Sequence, residues 1–149
     1  MENVVIRRAE PRDLEDLTGL LQEFFAIEAD FTPDPGRQRR GLSLLLEDSA
    51  TRCVVVAEAG GRVVGMGTVR TLLSTAEGGR VGLVEDVIVE PSHRGRGIGR
   101  RILEAIAEWA AARGLSRLQL LADRNNAPAL AFYDKIGWRR TQLVCLRKK

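Results

Sequence analysis

The segment from Gly82 to Leu103 (GLVEDVIVEPSHRGRGIGRRIL) constrains the fold most, because it predicts a strand, a tight turn and a helix in one run. Residues 83–89 are apolar and mostly β-branched apart from two acids, which indicates a strand buried on both faces. Proline cannot continue a central strand, so Pro91 ends this strand near Glu90. A helix is expected directly after the glycines that follow.

The turn at residues 94–99 (RGRGIG) combines glycines with positive charge. Glycine lets a backbone bend tightly and approach a ligand closely. The following helix directs unpaired N–H groups and the positive end of its dipole at the turn. The arginines around it are Arg94, Arg96, Arg100 and Arg101. These features predict a phosphate or pyrophosphate site. The spacing matches neither GxGxxG nor a P-loop, so a plain strand-to-helix connection with solvated arginines is the alternative.

Two motifs resemble the GNAT family of N-acetyltransferases. Arg94-x-x-Gly97-x-Gly99, after a strand and at the start of a helix, is similar to the family's acetyl-CoA signature, Gln/Arg-x-x-Gly-x-Gly/Ala. Residues 126–138 (NAPALAFYDKIGW) resemble the second motif, Asn-x-x-Ala-x-x-Phe/Leu-Tyr-x-x-x-Gly-Phe, with Trp138 replacing the final Phe. The resemblance is sharp over residues 83–138 and looser before them. It implies an acetyl-CoA-dependent N-acetyltransferase without a metal, acting on a primary amine of a small molecule or peptide.

The periodicity of the whole chain predicts an α/β (α+β) fold with the order βαα-βββ-α-β-α-β. Strands are expected at residues 4–9, 53–59, 62–73, 83–89, 116–122 and 139–147, and helices at 11–25, 35–48, 98–113 and 127–136. The long β-meander argues against a doubly wound nucleotide fold. The GNAT resemblance implies a mixed, mostly antiparallel sheet of six to seven strands flanked by four helices.

Composition limits the remaining classes of function. A length of 149 residues suits one domain over residues 1–149. A net charge of +3 without a dense basic tail gives little support for a nucleic-acid partner. The sequence predicts no membrane helix and no signal peptide. Cys53 and Cys145 have no metal-site spacing and are expected to be core residues of two strands in a reduced, cytoplasmic protein.

The resemblance assigns cofactor binding largely to backbone groups. The N–H groups that would hold the pyrophosphate belong to Gly95, Arg96, Gly97, Ile98, Gly99 and Arg100. Arg94, Arg96 and Arg100 would add charge-assisted contacts, with solvated surface charges as the alternative. The main chain of Val87, Ile88 and Val89 would pair with the pantetheine arm, and an N–H there would stabilise the developing oxyanion. Asn126 would contact the same arm, cap the helix that begins at Ala127, or do both.

The chemistry needs a base, because an alkyl amine with a pKa of about 10.4 is protonated at neutral pH. Glu85 lies nine residues before Arg94, where many family members carry a Glu in this role. A carboxylate in an apolar strand has a raised pKa, which suits a base. The alternative is a solvent-facing or cation-binding Glu85. Tyr133 lies at the family's general-acid position, and a helix-packing tyrosine is its alternative.

In the fold that the resemblance implies, the segment between the first two helices often covers the acceptor. The candidate residues of the acceptor site are Glu28, Phe31, Asp34, Glu85 and Asp86. Aromatic rings among acids suit an aliphatic cation, while an ordinary loop with a core Phe is the alternative for residues 25–34. Asp86 faces away from Glu85 in a regular strand, and a bulge would change that. The sequence Leu-Val-Glu-Asp at residues 83–86 looks similar to the polyamine and diamine branch of the family.

Three further expectations remain. His93 is interpreted as a turn residue rather than a catalytic one. Homodimers are common among relatives, and residues 145–146 are candidates for such a contact. The alternative to an enzyme is a non-catalytic module of the same fold that binds CoA or an acyl-CoA.

Overall fold

The computed structural model describes residues 3–27 and 32–149. Its strands are β1 (Val4–Arg8), β2 (Arg52–Ala59), β3 (Arg62–Ser74), β4 (Gly79–Val89) and β5 (Leu118–Leu120). Its helices are α1 (Leu14–Ile27), α2 (Pro35–Glu47), α3 (Ile98–Ala112) and α4 (Ala127–Lys135). Residues up to Gln119 form one compact unit and residues from Leu120 form a second. The interpretation of residues 1–149 as one domain stays a prediction.

The sheet is mixed and has the strand order β1-β2-β3-β4-β5. The first four strands pair antiparallel with their neighbours. Beside them, Ser116 N donates to Arg80 O and Gly82 N donates to Arg117 O, and residue numbers rise together along both segments, which is the parallel pattern. The predicted element order is therefore confirmed as far as α4. The predicted four helices are present, but the described residues form five strands rather than six to seven.

The predicted last strand, residues 139–147, is wrong: residues 139–149 form neither helix nor strand. Alternating apolar and β-branched residues produced the strand signal, but a strand also needs a neighbour with which to pair. Leu143, Val144 and Leu146 are 82%, 74% and 89% exposed. Cys145 is exposed as well, so its assignment to a core strand is wrong, whereas Cys53 is buried in β2 as predicted.

Most other boundaries agree with the sequence. Asp34 caps α2, and its Oδ1 accepts a 3.2 Å hydrogen bond from Arg37 N, as the Asp-Pro pair predicts. β4 begins at Gly79, earlier than predicted, because its first residues extend the hairpin with β3. No helix in residues 3–27 and 32–149 is both long and apolar enough to cross a bilayer.

Helices cover both faces of the sheet. On one face, α1 and α2 pack against β2, β3 and β4 through a buried cluster that includes Leu17, Leu21, Leu42, Met66 and Ile88. On the other face lies α3, whose buried residues are Ile98, Ile102, Leu103, Ile106, Trp109 and Ala110. A Cβ on Gly67 would lie 2.8 Å from Ile102 Cγ2, so the absence of a side chain at Gly67 lets α3 pack closely against β3.

Candidate active site

The central strand β4 bulges at its two adjacent acids. Met66 pairs with Ile88 and Thr68 pairs with Glu85, so Asp86 and Val87 together oppose one residue of β3. Asp86 has φ of 53°, a left-handed conformation that aspartate tolerates better than most residues. The bulge turns both acids towards one cavity. The orientation expected for a regular strand, with Asp86 facing away from Glu85, therefore does not apply.

The cavity has a volume of about 580 Å³ and lies between α1, α2 and the sheet. Its apolar wall consists of Leu21, Phe25, Leu42, Leu44 and Leu45. Its polar residues include Arg37, Gln38, Arg52, Thr68, Arg70, Glu85 and Asp86. An apolar wall with a few converging polar groups is typical of a small-molecule site of this size.

The two acids differ in environment. Asp86 is partly buried, and this burial together with the nearby charge of Glu85 raises its pKa to about 6, against an opposing effect of Arg70. Glu85 is exposed, and its Oε1 lies 2.8 Å from Arg70 Nη1. A carboxyl group that titrates close to neutral pH is suited to accept a proton from a substrate. The local chemistry therefore favours Asp86 over Glu85 as the proton acceptor.

The predicted acceptor residues are only partly brought together. Glu85 and Asp86 line the cavity. Asp34 caps α2 and forms an ion pair with Arg37, whose Nε lies 3.5 Å from Asp34 Oδ2. Asp34 is not among the described residues that line the cavity. Glu28 and Phe31 lie outside the described residues. Sequence reasoning missed Arg52, which directly precedes the predicted strand 53–59, and Thr68 and Arg70, which lie two residues apart in the predicted strand 62–73.

The glycine turn between β4 and α3 adopts the conformation that its composition predicts. Gly95 and Gly97 have φ of 77° and 79°, and a Cβ at either would meet no described atom within 4 Å. No side chain in the described ranges caps α3, and Arg101 N donates to Gly97 O. The N–H groups before Arg101 in the first turn of a helix have no acceptor within that helix. Open space and such N–H groups together fit a pyrophosphate.

Side chains hold the segment that leads into this turn. Arg62 forms an ion pair with Glu90, and Ser92 and the His93 ring also bond Glu90. These contacts, Arg62 first, lower the pKa of Glu90 to about 2. His93 is buried in the short 3-10 turn Pro91–His93, so its interpretation as a turn residue is confirmed. In the part of the chain that the structure describes, no three His, Cys, Asp or Glu side chains cluster closely enough to hold a metal ion.

The arginines of the turn have partners within the protein. Arg94 Nε donates to Val89 O at 2.8 Å, Arg100 Nε to Glu104 Oε1 at 3.1 Å, and Arg101 Nη2 to Val4 O at 3.0 Å. Arg96 is exposed. The side chains of Arg94, Arg100 and Arg101 are therefore each held by an acceptor within the protein.

Comparison with known proteins decides the family. A family model described as the acetyltransferase (GNAT) family matches residues 14–138. The chain belongs to the GNAT acetyltransferase family. An IAA acetyltransferase of Azospirillum brasilense is 35% identical over 139 residues, covering 93% of this chain and 86% of that protein.

Two further similarities add detail. A glucosamine 6-phosphate N-acetyltransferase of Trypanosoma brucei brucei is 35% identical over 80 residues, which are 53% of this chain and about half (52%) of that protein. A solved structure of aminoglycoside N-acetyltransferase AAC(6')-Iy in complex with CoA has a TM-score of 0.86 and 18% identity, covering 100% of this chain and 96% of that one. This likeness shows that the chain has the GNAT fold.

The second half of β4 contains Val87, Ile88 and Val89, whose main chain is predicted to pair with the pantetheine arm. β5 spans three residues and β4 eleven, and Gly82 N bonds Arg117 O, so β5 lies beside the first half of β4. β5 is too short to pair also with Val87, Ile88 and Val89. The carbonyl of Val89 already accepts the hydrogen bond from Arg94. Binding of the pantetheine arm at this edge stays a prediction.

The second compact unit holds the other GNAT motif. Asn126 Oδ1 accepts a 3.1 Å hydrogen bond from Ala129 N, so Asn126 caps α4. Tyr133 is partly buried on α4, with its ring 5.2 Å from that of Phe132 and 6.1 Å from that of Trp138. Burial raises the pKa of Tyr133 to about 12. The catalytic role of Tyr133 and the cofactor contacts of both residues remain predictions.

Proposed function

We propose that this chain is an acetyl-CoA-dependent N-acetyltransferase that acetylates a primary amine of a small molecule or peptide by direct attack in a ternary complex. The observation that carries the proposal is the bulge of β4. It turns the carboxyl of Asp86, with a pKa of about 6, into a cavity of substrate size on the strand that leads into the glycine turn. Membership of the GNAT family supports the same conclusion.

Acetyl-CoA, when bound, supplies a thioester as the acyl donor. The N–H groups of residues 95–100 would hold its pyrophosphate, helped by Arg94, Arg96 and Arg100, and the main chain of residues 87–89 would hold the pantetheine arm. Asn126 would add a contact to that arm. The positive φ of Gly95 and Gly97 and the open space beside them support this assignment.

The cavity carboxylates would deprotonate the amine. An ammonium group cannot attack a carbonyl carbon, so one proton must leave before the C–N bond forms. We assign this proton to Asp86, because its pKa lies closer to neutral pH than the ordinary value of a carboxyl group. Glu85, the base predicted from the sequence, would instead contact the cationic substrate and orient Arg70. Comparing kcat and KM of Asp86→Asn and Glu85→Gln distinguishes these two roles.

Tyr133 would donate a proton to the sulfur as the C–S bond breaks, and the second proton that the nitrogen loses as the amide forms would restore the Tyr133 hydroxyl. With a pKa of about 12, its hydroxyl keeps its proton throughout the physiological range. A thiol of pKa about 8.5 already leaves largely as a thiolate, so this proton transfer is expected to contribute less to the rate than the step at Asp86.

Two measurements test the proposal. Calorimetry with acetyl-CoA should show binding, and Gly97→Glu should abolish it, because the variant places bulk and negative charge in the turn. A panel of primary amines should then release free CoA from acetyl-CoA. Absence of affinity for acetyl-CoA in the wild type would refute the proposal. Binding without CoA release from any amine would instead support a non-catalytic CoA-binding module.

A further inference from the structure

We infer that the amine acceptor also carries an anionic group, a carboxylate or a phosphate, on a partly apolar body, and that Arg52 and Arg70 bind that group. The inference rests on the proposed function, since it specifies the acceptor of the same cavity. It differs from the diamine or polyamine acceptor that the sequence around Glu85 resembles.

The register of the sheet places Arg52 and Arg70 side by side. Arg52 on β2 lies directly opposite Arg70 on β3, and directly opposed residues of an antiparallel pair project from the same face. Both side chains line the cavity. Two like charges in this arrangement destabilise a sheet. A pair of cations kept at the wall of a substrate cavity despite that cost is well placed to bind an anion.

Each of the two guanidinium groups is oriented by a hydrogen bond and keeps further donors. Arg52 Nη1 donates to Leu44 O at 2.6 Å, and Arg70 Nη1 donates to Glu85 Oε1 at 2.8 Å. Each of these bonds uses one terminal nitrogen, and a guanidinium carries N–H donors on three nitrogens. The bonds therefore orient each group and leave it able to donate to a further acceptor. Planar guanidinium groups match carboxylate and phosphate oxygens particularly well.

The described wall of the cavity carries more positive than negative side chains. Among the described residues that line it, the arginines are Arg37, Arg52 and Arg70 and the acids are Glu85 and Asp86. With both acids ionised the wall carries three positive and two negative charges, a net charge of +1. A diamine or polyamine would place its second cation against this positive wall. An amine with an anionic group would meet opposite charges at both ends.

The acids and the arginines occupy different positions along the strands. Thr68 and Glu85 form one cross-strand row beside the bulge, and Arg52 and Arg70 form the row two residues further along β3. Rows two residues apart are separated by roughly 7 Å along a strand. The amine would lie beside the acids and the anion beside the arginines. Leu42, Leu44 and Leu45 line the same cavity and would contact the apolar body of the acceptor.

Matched pairs of amines test the inference. Each pair has one member with the anion about 7 Å from the amine and one without it: 6-aminohexanoate and pentylamine, 4-(aminomethyl)benzoate and benzylamine, glucosamine 6-phosphate and glucosamine. Putrescine and spermidine are included, and free CoA is measured. We expect the anionic member of at least one pair to exceed its partner in kcat/KM by about tenfold or more, as one charge-assisted contact predicts. The pair that responds distinguishes a carboxylate from a phosphate.

Variants of the arginine pair add a second readout. Arg52→Gln and Arg70→Gln should raise KM for the anionic member about tenfold, with a much smaller change for its partner, and Arg52→Lys should restore part of the loss. Arg39→Gln is the matched control, because Arg39 is an exposed arginine of α2 that pairs with Glu15 away from the cavity wall.

Two results would overturn the inference while the proposed function stands. The first is equal or better use of the anion-free amines or of the diamines. The second is an equal effect of the arginine variants on both members of a pair. Absence of acetyl-CoA affinity, in contrast, would refute the proposed function and the inference with it.

Discussion

Thr68 Oγ1 donates a 3.0 Å hydrogen bond to the main-chain carbonyl of Glu85, beside the bulge of β4. Thr68 is 3% exposed, so this bond is protected from water. It holds the peptide group that precedes Asp86, the residue with positive φ. The orientation of Asp86 in the cavity therefore depends on a hydroxyl group from the neighbouring strand.

Replacing this hydroxyl should affect activity as well as stability. Thr68→Val keeps the shape of the side chain and removes the donor, so we expect about 1 kcal/mol less stability and a lower kcat/KM. Thr18→Val is the matched control, because Thr18 is also buried and donates to a main-chain carbonyl, that of Leu14, in α1. Urea unfolding and steady-state kinetics compare the two. Equal kinetics in both variants would contradict a role for Thr68 in positioning Asp86.

The two acids should separate in their effects on catalysis. Asp86→Asn removes the proposed base but keeps an amide that tolerates positive φ, and we expect kcat to fall about 10²-fold to 10⁴-fold. In the wild type, kcat/KM should rise with pH through about 6, as Asp86 loses its proton. Glu85→Gln should mainly change KM, because Glu85 is exposed and paired with Arg70. A larger kcat loss in Glu85→Gln than in Asp86→Asn would restore Glu85 as the base.

Asp86 should also make stability depend on pH in a defined direction. Its pKa is raised from 3.8 to about 6 in the folded state, so the folded state binds more protons and loses stability as pH rises from about 4 to about 6. The cost above that window is up to about 3 kcal/mol. Asp86→Asn should therefore be more stable than the wild type at about pH 8 and nearly equal at about pH 3.5. Urea unfolding at both values measures this, and a difference independent of pH would contradict it.

Substituting a glycine of the glycine turn should weaken acetyl-CoA binding more than substituting a glycine with a similar positive φ elsewhere. Gly97 and Gly114 have φ of 79° and 72°, and both have open space at Cβ, but they lie at opposite ends of α3. Alanine at either position should cost about 1 kcal/mol of stability. Only Gly97→Ala should weaken acetyl-CoA binding in calorimetry. Equal affinities for acetyl-CoA in the two variants would place the pyrophosphate elsewhere.

Local sequence signals predicted the conformation of the glycine turn and the bounds of α3 well. Glycines, a proline and a regular apolar period placed the start of α3 after the turn and its end before Gly114, as the structure shows. These signals act over a few residues and do not depend on the neighbours of the segment. The Asp-Pro start of α2 was predictable for the same reason.

The polar wall of the cavity between α1, α2 and the sheet was not predictable in the same way. The bulge arises from the pairing of β4 with β3, and the Arg52–Arg70 pair arises from the pairing of β2 with β3. Register is a property of two strands, and a single strand's alternation does not specify it. The false strand at residues 139–147 has a related cause, since strand propensity carries no information about whether a partner is present.

Gly67 on β3 faces α3, the helix that follows the glycine turn, and lies opposite the bulge formed by Asp86 and Val87 on β4. A Cβ there would meet Ile102 at 2.8 Å, Ile106 at 3.0 Å and Val87 at 3.7 Å. Any enlargement at this position would press on Ile102 and Ile106 and so shift α3 relative to β3, whereas 3.7 Å from Val87 is an ordinary contact. Efforts to alter substrate choice by design should therefore leave residue 67 intact and vary the outer rim of the pocket instead.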